Sequence, residues 1–152
     1  MEVRAVNESD LDLICRHREA MFRDAGRDEL TLRTMTAHFR TWLEPRLRDG
    51  SYFGFLLHEA GVPVAGVGLM VIDWPPHPAH PEQDVRGYVL NVYVEPAARR
   101  RGLARQLMSL ADAEFARRGV QYAILHSTAQ GRSLYAGLGW APTTEMARSI
   151  PA

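Results

Sequence analysis

The chain has no lysine: all 18 of its basic residues are arginine, and 18 acidic residues balance them to a formal net charge of zero. With no net field, neither nucleic acid nor a membrane surface is an expected partner. A single cysteine, Cys15, excludes an intrachain disulfide and fits a reducing, cytoplasmic setting. No run is long and apolar enough to cross a bilayer. Met1-Glu2-Val3-Arg4-Ala5-Val6 lacks the basic-then-apolar order of a secretory leader. Also missing are a Gly-x-Gly-x-x-Gly after a strand and a Gly-Lys-(Ser/Thr) phosphate loop, which removes dinucleotide-dehydrogenase and nucleotide-triphosphatase readings. Repeats, low-complexity tracts and linkers are absent. What remains is 152 residues, 46% hydrophobic and 24% charged, enough for one globular domain spanning 1–152 with a sizeable core.

Periodicity predicts a mixed α/β order. Glu2–Val6 alternates like a short strand, and Asn7-Glu8-Ser9-Asp10 supplies helix caps. The following helix has Leu11, Ile14, Cys15 and Met21/Phe22 on its apolar face, and Gly26 ends it. A second helix is expected over Leu30–Leu47, burying Met35, Phe39, Trp42 and Leu43. Ser51–His58 and Val62–Ile72 read as a hairpin turned by Glu59-Ala60-Gly61. Asp73–Asp84 carries four prolines and reads as a stiff extended segment. A strand through Val89-Leu90-Asn91-Val92-Tyr93-Val94 follows, then a helix over Ala98–Arg118 closed by Arg117-Arg118-Gly119. Tyr122–His126 is expected as a strand, Ser133–Leu138 as a short helix and Thr143–Ser149 as a last strand.

Arg99-Arg100-Arg101-Gly102-Leu103-Ala104 stands out against this frame. Three adjacent cations at a helix N-terminus oppose its partial positive charge, and no acid intervenes before Leu110. The conflict resolves if a polyanion sits on the free backbone N–H groups of that turn. Residues 99–104 match (Gln/Arg)-x-x-Gly-x-(Gly/Ala) position by position. A second passage, Gly131-Arg132-Ser133-Leu134-Tyr135-Ala136-Gly137-Leu138-Gly139-Trp140, follows about thirty residues later, a spacing that suits one βαβ unit. Together they resemble the acyl-CoA pyrophosphate motif, late helix and following strand of the GNAT superfamily of N-acetyltransferases. The likeness covers the C-terminal half; the N-terminal half agrees in its pattern of elements.

The resemblance implies a central twisted, mostly antiparallel mixed sheet of about six to seven strands, splayed at the cofactor and flanked by about four helices. It implies acetyl-CoA as cosubstrate, no metal, and a primary amine of a small molecule or peptide as acceptor; it allows a homodimer. Val92 and Val94 would offer backbone contacts to the pantetheine arm. Arg99, Arg100, Arg101, Gly102, Leu103 and Ala104 would hold the pyrophosphate, mainly through amides of Arg101, Gly102 and Ala104. Tyr135 matches the tyrosine whose phenol lies near the CoA sulfur. Against this likeness the missing lysine suggests protection from self-acetylation, but codon usage accounts for it more simply.

Two positions depart from the superfamily pattern. A glutamate common about six residues before the Val94 position is Tyr88 here, and an asparagine common at position 128 is Thr128. The general base is therefore unassigned among Asp73, His77, His80, Glu82, Asp84 and relayed water, while Glu95 beside Pro96 reads as a strand terminator. Ser127 with His126 lacks a fixed partner acid for a nucleophilic role, and prolines keep His77 and His80 off a common helical face. Trp74 and the proline segment are expected to rim the acceptor site, with Arg18, Met21 and Phe22 opposite. The expected reaction is direct attack of a neutral amine on the thioester. The alternative is a non-catalytic acyl-CoA-binding sensor of the same fold, and a basic tRNA-directed relative is disfavoured by the neutral charge.

Overall fold

The computed structural model describes residues 1–152. Strands β1 (Glu2–Ala5), β2 (Phe53–Glu59), β3 (Val62–Asp73), β4 (Val85–Val94) and β5 (Ala123–Leu125) form one sheet in sequence order. The first three pairings are antiparallel and the last, β4 with β5, is parallel. Helices α1 (Leu11–Asp24) and α2 (Glu29–Asp49) precede β2, α3 (Leu103–Arg117) makes the crossover from β4 to β5, and α4 (Arg132–Gly137) follows β5. A parallel return to the same sheet requires such a crossover.

The helices start where the sequence supplies acceptors for free amides. Asn7 accepts from the Ser9 amide and donates its own N–H to Asp10 at 2.8 Å, opening a 3-10 turn, Glu8–Asp10, that leads into α1. Asp28 caps α2 by accepting from the Thr31 amide at 2.8 Å, and Gly50 ends that helix at φ +80°. α3 is different, because nothing caps it.

Each sheet face has its own apolar layer. Leu103, Leu107, Met108, Ala111 and Phe115 of α3 pack on Leu57, Ala65, Val67, Leu69 and Val89. On the opposite face, Ile14 and Cys15 of α1 and Phe39, Leu43 and Leu47 of α2 enclose Tyr52, with Met70 and Leu90 against them. Gly68 makes room there: a methyl on it would fall 2.0 Å from the Tyr52 hydroxyl.

The sheet has five strands, fewer than the sequence suggested. The missing member is Thr143–Ser149, which is exposed and irregular throughout. A strand needs a ladder partner, and its prospective neighbour β5 is only three residues long. Pro142 also withholds a donor at its entrance. The helix expected to begin at Ala98 begins at Leu103, so the arginines lie in the turn before it.

Candidate active site

Asn91 sets the geometry of the site. Gly66 pairs with Tyr93 and Gly68 with Leu90, so Val67 lies opposite both Asn91 and Val92. This is a β-bulge, and Asn91 takes the left-handed φ of +55° that asparagine tolerates better than most residues. Two consequences follow from the extra residue. Leu90 and Asn91, adjacent in sequence, both turn toward α1 and α2, while Val89, Val92 and Val94 pack on the α3 side. The direction of the backbone groups also reverses. Gly87 donates to Tyr122 beside β5, whereas Glu95, an even number of residues later, donates to Val64 of β3. Beyond the bulge, therefore, the N–H and C=O of Val92 and Val94 point away from β3.

No strand meets them. The β4–β5 ladder ends at Val89 opposite Leu125, leaving the rest of β4 open along that edge. The Val94 carbonyl accepts from Arg99 Nε at 2.9 Å.

The open edge runs into the turn before α3. Pro96–Ala98 makes one 3-10 turn, and Arg100 and Gly102 then take left-handed φ values of +62° and +77°. Only at Gln106, which donates to the Gly102 carbonyl at 3.0 Å, do the helical hydrogen bonds begin. The amides of Leu103, Ala104 and Arg105 are thus helix-end donors with no side-chain cap and no acid in the first turn. Such an end suits an anion.

The arginine side chains divide their work. Arg99 reaches Asp24 at 2.8 Å and lies over the Tyr93 ring, and Arg101 pairs with Glu59. Each is thereby pulled above the usual arginine pKa. Arg100 and Arg105 have no acidic partner. The turn thus offers backbone amides and two unpaired guanidiniums, a smaller cationic set than the sequence suggested.

Tyr135, on α4, packs against the α3-side core that Val92, Val94 and Leu125 also flank. Burial pushes its phenol pKa up, and the hydroxyl makes no hydrogen bond within the protein. Thr128 accepts from the Gly131 amide at 3.2 Å and so shapes the entry to α4. A cavity of about 1220 Å³ opens beyond β5, lined by Trp74, Leu125, Tyr135, Trp140 and Glu145. It touches neither Val92, Val94 nor residues 99–104. The edge of β4 is the better candidate seat, because an extended chain on a strand edge binds through the ladder and needs no enclosed chamber.

The remaining candidates are dispersed. Asp73, Glu82 and Asp84 are exposed. His80 is sealed from solvent, with Nδ1 2.9 Å from the Gln83 carbonyl and Nε2 accepting from Arg86 Nε at 2.9 Å. Trp74 covers the same Arg86, its ring 4.2 Å from the guanidinium, so it braces the β3–β4 connection. His126 lies 3.6 Å from Glu145, with its ring edge-on to Tyr88; Ser127 forms no pair with it. Glu95 pairs with Arg16 at 2.9 Å and His17 at 3.2 Å, fixing α1 to the end of β4. No cluster of His, Cys, Asp and Glu has the makings of a metal site.

Periodicity missed the polar groups under α1. Arg18 Nη1 donates to Asn91 Oδ1 at 2.7 Å, and Asn91 Nδ2 donates to the Tyr52 hydroxyl at 3.0 Å. The signal was present: a lone asparagine in the apolar run Val89–Val94 is a polar group that must be satisfied or used.

The family model for the acetyltransferase (GNAT) family matches residues 14–140. A GCN5-related N-acetyltransferase from Ralstonia eutropha JMP134 is 60% identical over 98% of this chain and 97% of its own, with a TM-score of 0.97. A predicted acetyltransferase from Clostridium acetobutylicum, solved with acetyl-CoA, is 20% identical over 98% and 95% of the two chains, with a TM-score of 0.87. A ribosomal-protein-alanine N-acetyltransferase from Brucella melitensis biovar Abortus 2308 is 17% identical over both full lengths, with a TM-score of 0.68. The search of curated proteins returns no match. With the family model spanning most of the chain and the mixed sheet in agreement, the protein belongs to the GNAT family of acetyltransferases.

Proposed function

We propose that the chain transfers an acetyl group from acetyl-CoA to a primary amine of a small molecule or peptide, by direct attack within a ternary complex. One observation carries this reading. The unpaired edge of β4 beyond Val89 leads, through the single 3-10 turn at Pro96–Ala98, to the uncapped turn at Gly102. That track offers strand-type hydrogen bonds first and anion-binding amides last, the order in which a pantetheine arm and its diphosphate would need them. The Clostridium protein of this fold, solved with acetyl-CoA, supports the same cosubstrate here.

Acetyl-CoA supplies an activated acyl group and a thiol leaving group with a pKa of about 8.5. Val92 and Val94 would align the arm, and the amides of Arg101, Gly102, Leu103 and Ala104 would take the phosphates. Arg100 and Arg105 would add charge, and Arg99 would brace the turn through Asp24. A backbone N–H beside the bulge, near Val92, would meet negative charge developing on the carbonyl oxygen. The raised pKa of Tyr135 keeps its phenol protonated at neutral pH, ready to donate to the departing sulfur. The acceptor ammonium, with a pKa of about 10.4, has to shed its proton before attack. With Tyr88 where relatives carry glutamate, water is the proton acceptor in this reading.

The experiment is thiol release from acetyl-CoA across a panel of amines. Release that depends on the amine supports transfer. Tyr135→Phe should lower turnover about 100-fold while coenzyme affinity by calorimetry stays unchanged. Tight coenzyme binding with no release for any amine would identify a binding module instead.

A further inference from the structure

Arg18 is a cation without an acid. Its guanidinium lies inward from α1, stacked between the Phe22 and Phe39 rings at 5.0 and 4.7 Å from their centroids. Nη1 is fixed to Asn91 at the bulge, where β4 loses its neighbour. Nε is sealed from solvent and has no hydrogen-bond partner at all. Nη2 likewise has no protein acceptor but is not sealed off. The nearby carboxylates are committed elsewhere: Glu19 to Thr36 and Arg23, and Glu95 to Arg16 and His17. Besides Asn91, the titratable groups that act electrostatically on Arg18 are the phenols of Tyr52 and Tyr88.

Burying an unpaired charge and an orphan N–H is costly, and proteins seldom retain either without a use. With Nε sealed, the group left for an incoming ligand is Nη2, a charged N–H donor that suits a carboxylate oxygen. Its location decides what that donor is for. Asn91 holds it at the mouth of the open edge, on the α1–α2 side, opposite the face where Val92 and Val94 pack.

We infer that the acceptor is an amine that also carries a carboxylate, an amino acid or amino-carboxylic acid, whose carboxylate seats on the free Nη2 of Arg18. This rests on the transferase reading above and narrows it. Arg18 is then the specificity-determining residue, and Asn91 and Tyr52 position it.

Matched acceptors test this: an amino acid against its own amide, compared by kcat/KM for thiol release. The carboxylate form should be favoured about 10- to 100-fold, the range expected for a hydrogen-bonded pair to a charged group. Arg18→Gln should collapse that ratio toward one; an unchanged ratio overturns the inference. Because Arg18 also packs between two rings, Asn91→Asp provides a second variant. It keeps the left-handed backbone, leaves Arg18 in place, supplies the missing counter-charge internally, and should reduce the same preference. Calorimetry with N-acetyl amino acids and their amides gives a reading that needs no turnover. Carboxylate-dependent binding in an inactive protein would sink the transferase reading alone. Active turnover with equal use of acids and amides would sink only the carboxylate seat.

Discussion

At the scale of single residues, the site depends on backbone conformations that few side chains tolerate. Gly102 sits at φ +77°, and a Cβ built on it meets nothing within 4 Å. The demand on that position is therefore torsional rather than steric. Gly102→Asn should leave coenzyme affinity nearly intact, since asparagine visits the left-handed region. Gly102→Val should weaken affinity at least about 10-fold, because a β-branched residue at positive φ would tip the turn and scatter its amides. Calorimetric titration with coenzyme A separates the two; equal losses would mean that bulk, not conformation, governs the seat. Arg101→Ala should do less than Gly102→Val, since it breaks an exposed pair with Glu59 and leaves the amide in place.

At the scale of elements, β3, β4 and α2 meet at one contact that holds the bulge. Tyr52, sealed under α2, fills the space that Gly68 leaves, and its hydroxyl accepts from the Asn91 side-chain Nδ2. Gly68→Ala forces the phenol to move and with it the mount of Arg18. We expect a loss of about 1–3 kcal/mol, read as a lower denaturant midpoint, together with reduced turnover. In the Gly68→Ala, Tyr52→Phe pair the losses should be less than additive, because both disturb the same contact. The elements themselves were largely legible. Alternation found the hairpin of β2 and β3, and the helical stripe of Leu103, Leu107 and Ala111 found α3. The turn at 99–104 was legible because cations at a helix start are electrostatically misplaced. Three things were not. Thr143–Ser149 has strand composition, but pairing is a long-range property that composition does not contain. The exchange of Arg99 and Arg101 into ion pairs depends on Asp24 and Glu59, far away in sequence. The bulge turns Leu90 and Asn91 to one face, which strict alternation forbids.

At the scale of the whole molecule, stability against acid depends on how α1 is held to the sheet. His17 is buried against Tyr93, with ring centroids 4.9 Å apart, and bonds to Glu95 at the end of β4. Burial lowers its pKa, and the nearby Glu95 charge only partly opposes that. The folded protein therefore binds this proton less readily than the unfolded chain, whose histidine titrates near about 6.5. Stability from a neutral His17 is complete above that value and falls as pH drops below it, because the unfolded state then takes up the proton first. Lower down, a second loss arises from carboxylates such as Glu114, held at about 2 by hydrogen bonds from Arg117 and Arg118. That loss begins only below the usual carboxylate range near about 4.3, so the two windows are distinct. Thermal melts from pH 7.5 to 5 should show a declining Tm in the wild type and a flatter profile in His17→Phe. An identical slope in both proteins would place the sensitivity on another histidine. Because Arg16 and Glu95 tie the same stretch of α1 to the end of β4, whose next residues lead to the turn proposed to hold the coenzyme, acid should weaken coenzyme affinity in step with that decline.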